Sequence, residues 1–258
     1  MMSDNKMSSI KAKDDITIEL STRSAVRLFK GREKTSKRHG IMGIPGFCKL
    51  LKGMESAIAQ DDPYADYYFK VIDDAIEELS FDLDIQLKEL LEFIESNTPS
   101  AMNIPDSINS SPVVMPIKFA SKMSFKIIYQ LLKADKILLN VLRANHVGML
   151  SNEEKFQMIA FTERKVRGVI HKIFSYKYMG VTRDDLAANN QKALQAIKAM
   201  GELEAGYLEG SERSSHAPSL PSRRLQLLKS TTTEASDIAY DGVIEELLND
   251  GEALEKAV

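Results

Sequence analysis

The chain of 258 residues is 43% hydrophobic and 28% charged, the balance of an ordinary soluble globular protein with a sizeable core. Its single cysteine, Cys48, excludes a disulfide framework and CxxC-type metal sites. The net charge of −3 hides strong segregation: Lys and Arg outnumber Asp and Glu ten to five over 1–40 and fifteen to seven over 101–200. The acids lead thirteen to four over 41–100 and twelve to five over 201–258.

Residues 1–13 carry no apolar signal core and read as a flexible start. From Asp15 to Leu20 the sequence alternates, with Ile16, Ile18 and Leu20 on one face and Asp15, Thr17 and Glu19 on the other, which predicts a strand. Ser21 or Thr22 caps a following helix to about Glu33, whose apolar face is Ala25, Leu28 and Phe29 among Arg23, Arg27, Lys30 and Arg32. A basic, glycine-containing stretch, KTSKRHGIMG, interrupts the helical pattern. A second helix is expected from Ile44 to about Gln60, on a stripe of Phe47, Leu50, Leu51, Met54 and Ile58.

Pro63 among acids marks the start of a long helix to about residue 97. Residues 98–117 read as a Pro/Ser/Asn-rich loop whose VVMPI is a short extended piece held to an edge by Pro112 and Pro116. Helices are expected over 118–144, from SNEE at 151–154 to about Ser175, and from Thr182 and Asp185 to about Met200. From residue 209 the chain reads as a flexible acidic tail, with a short amphipathic helix within 236–256. No stretch is long and apolar enough for a membrane span, so a cytoplasmic protein without membrane contact is expected.

A lone strand cannot satisfy its own backbone groups. It pairs with VVMPI inside the chain, frays as an N-terminus, or pairs with its own copy in a second subunit. The last arrangement is a ribbon-helix-helix homodimer, in which the paired strands enter the major groove of double-stranded DNA. On that reading residues 14–60 form the dimerisation and DNA-binding module and 61–208 a helical domain, a mainly α architecture overall. Thr17 and Glu19 read base edges, while Lys11, Lys13, Arg23, Arg27, Lys37 and Arg38 hold phosphates. The N-terminus of the second helix, around Gly43–Gly46, offers backbone N–H groups to a phosphate.

Catalysis and cofactors find little support. Asp61, Asp62, Asp66, Asp73 and Asp74 could suggest a metal-dependent nuclease, but no His or Glu joins them at ligand spacing. They read instead as partners of a helix dipole and a solvated face. His39, His146, His171 and His216 are scattered, and Cys48 is expected to be buried structure. The basic residues of 118–177 are expected to pair with the acidic helix over 61–95. The tail leucines and Val243–Leu248 form a surface for another protein, such as RNA polymerase.

The segments TRSAVRLFKGR, GIMGIPGFCKLL, QDDPYADYYFKVIDDAIEEL and NVLRANHVGML resemble, in order, a family encoded by integrating conjugative elements and related conjugative plasmids. The resemblance spans about residues 14–205. It implies a DNA-binding homodimer that activates transcription of transfer genes, and it supplies no catalytic motif. A helical adaptor of the conjugation apparatus that binds no DNA is the alternative.

Overall fold

The structure is a computed structural model, and it describes residues 16–102, 111–119 and 121–224. Lys11, Lys13 and the expected 236–256 helix lie outside the described residues. The element order is β1 (Thr17–Leu20), α1 (Arg23–Lys30), α2 (Ile44–Ile58), α3 (Pro63–Asn97), β2 (Val113–Pro116) and α4 (Lys122–His146). There follow α5 (Asn152–Lys172), α6 (Arg183–Ala187), α7 (Gln191–Met200) and α8 (Ala205–Glu209). The mainly α class, opening strand, helix, turn, helix, is as the sequence predicts.

The strand finds its partner inside the chain. β1 runs antiparallel to β2, with Thr17 opposite Pro116 and Leu20 opposite Val113. The two-stranded ribbon is thus formed within one chain rather than from the β1 strands of two copies. The edge that β2 occupies is satisfied internally, because Val113 and Val114 supply β-branched residues and the prolines fall at the two ends, Pro112 just before the strand and Pro116 as its last residue. Ile18 and Leu20 face inward and are buried, each contributing about 1.5–3 kcal/mol. Ile16, expected on the same apolar face, is 49% exposed.

Two compact units are present. The first comprises 16–52 and 71–174; the second comprises 53–70 and 175–224 of the described residues. β1 and α1 pack within the same unit as α4 and α5. In the first unit Ile127, Leu131, Ile137 and Leu138 of α4 are buried, as are Val166 and Ile170 of α5. On α2 the expected stripe is buried except Leu50, which is 43% exposed, and Cys48 is buried.

The second unit has its core on Tyr64, Val181 and Ala196, with Tyr68, Tyr176 and Leu186 against them. Asp62 caps α3: its Oδ1 accepts from the N–H groups of Tyr64 (2.9 Å) and Ala65 (3.1 Å), and its Oδ2 accepts from the Tyr176 hydroxyl (2.8 Å). Burial pushes the Asp62 carboxyl above its usual range, against the opposing pull of those bonds and of Arg183. Burial, together with Asp62, raises the Tyr176 phenol. Asp61 and Asp66 are buried too, which corrects their reading as a solvated face. Arg183 donates to Asp61 (2.9 Å) and Asp66 (2.6 Å), Arg213 to Asp66 (3.0 Å) and Arg224 to Asp61 (2.9 Å). Residues 209–224 are accordingly not a free linker. Arg213, Arg224 and the buried Leu220 fasten them to the unit.

Both expected capping boxes form, Ser151 with Glu154 and Thr182 with Asp185. The bond from the Thr182 N–H, with a second from Asn190, lowers the Asp185 carboxyl to about 2.

Candidate nucleic-acid interface

The segment Thr17–Ile58 builds the candidate interface, and a buried carboxylate sets its geometry. The Thr22 side chain caps α1 by accepting from the Ala25 N–H at 3.1 Å. Asp135 of α4 then accepts from the Ser21 N–H (2.7 Å), the Thr22 N–H (2.9 Å) and the Thr22 hydroxyl (2.6 Å). Three donors at the junction of β1 and α1 are thus satisfied by one charged group. With Ala25, Leu28 and Phe29 buried, α1 turns Arg23, Arg27 and Lys30 outward at i, i+4 and i+7.

The basic stretch that interrupts the helical pattern is a hairpin. Arg32 and Ile41 exchange backbone hydrogen bonds (2.8 and 2.7 Å), as do Thr35 and Arg38 (3.0 and 3.4 Å), leaving Ser36 and Lys37 at the tip. Residues 32–40 are all exposed, and among them Arg32, Lys34, Lys37 and Arg38 stand against the single acid Glu33. The Arg32 guanidinium donates to the His39 carbonyl (3.0 Å) and braces one arm on the other. The hairpin's base is fixed by glycine. Gly31 has φ +71°, and a Cβ there would lie 2.3 Å from the Ile41 carbonyl oxygen. At Gly43 it would lie 2.3 Å from that of Phe29. The start of α2 offers less than expected to a phosphate, since Gly43 and Ile44 are buried and Pro45 has no N–H.

Charge pairing separates this surface from the other basic region. On the 118–177 block, Lys126 is bound to Asp73 and to Glu77 (3.0 Å), Lys133 to Asp84 (2.7 Å) and Lys165 to Asp82 (2.6 Å), the expected pairing with α3. Burial alone would lower the Lys126 ammonium, but the bonds and charges of Asp73 and Glu77 outweigh it and raise the pKa. By contrast Arg23, Lys30, Lys34, Lys37 and Arg38 form no ion pair among the described residues. Arg27 makes one, with Glu163 at 3.1 Å, while its side chain stays 60% exposed.

Of the residues that the sequence marks, Thr17 and Glu19 lie exposed on the outer face of the ribbon, where Pro116 and Val114 stand opposite them. Arg23 and Arg27 share the outer face of α1, Lys37 sits at the hairpin tip and Arg38 beside it. Lys30, Lys34 and Val114 join them only in the structure. Helical spacing from Arg23 marks Lys30, but nothing local marks Val114, which reaches this face only through a strand pairing that spans about a hundred residues. Among the described residues no group of acids, histidines and cysteine is arranged to hold a metal ion.

A strand, a capped helix, an exposed basic turn and a second helix in series are the layout of the ribbon-helix-helix class of regulators. The family model for the transcriptional regulator AcaB matches residues 11–221, and the chain belongs to that family. Among solved structures it is similar to the crystal structure of selenomethionine-containing AcaB from uropathogenic E. coli. The TM-score is 0.51 at 15% identity, covering 77% of this chain and 98% of that one, a likeness of fold. No curated protein matches the chain.

Proposed function

We propose that this transcriptional regulator is a cytoplasmic homodimer that binds double-stranded DNA upstream of conjugative transfer genes and activates them. The observation that carries the reading is the run of exposed cations on α1 and the hairpin, of which only Arg27 is ion-paired among the described residues, beside a basic block whose Lys126, Lys133 and Lys165 are taken up by the acids of α3. Arg23, Arg27, Lys30, Lys37 and Arg38 hold phosphates, with Lys11 and Lys13 adding to them. Thr17 and Glu19 face base edges, with the Val114 methyls suited to a thymine methyl. Among the described residues β1 pairs only with β2, so its other edge can take β1 of a second copy, making a two-fold ribbon of four strands. RNA polymerase is the partner proposed for the acidic tail.

Fluorescence anisotropy on DNA from upstream of transfer genes, against a scrambled control, tests this. Selective binding should weaken steeply with salt. Replacing Arg23, Lys37 and Arg38 by alanine should lower the slope of log K against log salt by about 0.9 for each phosphate that is no longer neutralised. Equal binding to all fragments with an unchanged slope would sink the reading.

A further inference from the structure

A groove of about 400 Å³ runs between α3 and α5 within the first unit. Its floor is apolar and buried, formed by Ala75 and Leu79 of α3 and Val169 of α5, and Phe161, 47% exposed, stands at one end as a wall. Three cations and two carboxylates line it. Lys165 and Asp82 neutralise one another across the groove at 2.6 Å, which leaves Arg164 and Lys172 facing only the exposed Glu78. Neither Arg164 nor Lys172 forms an ion pair among the described residues. They lie eight residues apart on one face of α5, with Gly168 midway.

Gly168 is the second observation. Glycine is a poor choice inside a helix, and no left-handed backbone requires it here, since Gly168 lies within α5 without a positive φ. Nor does close packing require it, because an added Cβ would meet nothing within 4 Å. What its missing side chain does is keep the middle of the groove open. The length is small as well: residues 75–82 span about 10 Å and 161–172 about 16 Å of helix, too short a seat for another protein's helix of ordinary length.

We infer that the α3–α5 groove binds a small organic acid with an apolar chain, its carboxylate held by Arg164 and Lys172 and its chain laid on Ala75, Leu79 and Val169 beside Phe161. Volume, apolar floor and a few convergent polar groups are those of a small-ligand site. A ligand with two or more carboxylates would meet Glu78 and is disfavoured.

Calorimetric titration of the full-length chain with decanoate, below its micelle concentration and without DNA, tests the site apart from the proposed DNA-binding role. Saturable binding is expected, with decanol at least about tenfold weaker. Gly168→Leu should abolish binding while leaving the far-ultraviolet circular dichroism unchanged, since leucine favours the helix and fills open space. The double variant Arg164→Ala, Lys172→Ala should weaken binding at least about tenfold. Absence of saturable heat, equal affinity for decanol, or unaltered binding by Gly168→Leu would each overturn the inference.

Discussion

Asp135 offers the sharpest test of how the candidate interface is held. Its carboxylate, only 6% exposed at the residue level, receives three hydrogen bonds from the Ser21–Thr22 junction between β1 and α1. Bonds to a charged acceptor contribute about 1.5–3 kcal/mol each, so at the low end the three come to about 4.5 kcal/mol. Cutting the side chain back to alanine lets water reach part of the junction and re-solvate its donors, which returns about 1–2 kcal/mol. Asp135→Ala should therefore cost about 3 kcal/mol, read as a fall in the urea midpoint at constant m-value. Asp135→Asn keeps an acceptor for the two Thr22 donors but turns an N–H group toward that of Ser21, so about half the loss is expected. A cost under about 1 kcal/mol for the alanine variant, or an equal cost for both, would refute the reasoning.

Three further outcomes can be checked by equilibrium unfolding. Gly31→Ala places a Cβ 2.3 Å from the Ile41 carbonyl at a φ of +71°, and should cost about 3 kcal/mol; a loss under about 1 kcal/mol would mean that the hairpin base shifts freely. Arg183→Met leaves Asp61 and Asp66 buried with Arg224 and Arg213 as their remaining partners, and should cost about 3 kcal/mol. Stability equal to the parent's would show the network to be dispensable. Because burial raises the Asp62 carboxyl, the folded state holds that proton to a higher pH than the unfolded chain, whose value is near 3.8. That contribution is full below 3.8 and lost as pH rises through the raised value. Asp62→Asn should then be at least as stable as the parent at neutral pH, with its advantage shrinking in acid; a deficit at neutral pH that does not change with pH would contradict this.

Local chemistry made much of the fold legible in the sequence. Alternation marked β1, threonine and serine caps with acids three residues on marked α5 and α6, and Pro63 marked the start of α3. What escaped was set by residues far apart. The hairpin at 32–41 lacks alternating apolar residues and an Asn-Gly turn, so only its backbone bonds reveal it. The acids at 61 and 66 look like a helix-dipole pattern until arginines 117 and 147 residues beyond Asp66 arrive to bury them. Arg213, with Arg224, makes residues 209–224 part of a folded unit despite a composition typical of linkers. Of the candidate interface, Arg23, Arg27, Lys37 and Arg38 could be named from charge alone. That this surface keeps its cations exposed, while Lys126, Lys133 and Lys165 are taken up by α3, required the tertiary structure.

The anchoring of Thr22 by a residue 113 positions later sets an order of events during synthesis. The segment proposed to face DNA is made before its supports: β1 lacks its neighbouring strand until Val113–Pro116 emerges, and α1 lacks its carboxylate until α4 does. Contacts this distant in sequence close slowly, so β1 and α1 are finished late relative to their synthesis. An N-terminal fragment ending near residue 60 would leave Ile18, Leu20 and the Thr22 donors uncovered. The module that its sequence suggests is therefore not a separable cassette, and grafting it elsewhere would require α4 to travel with it.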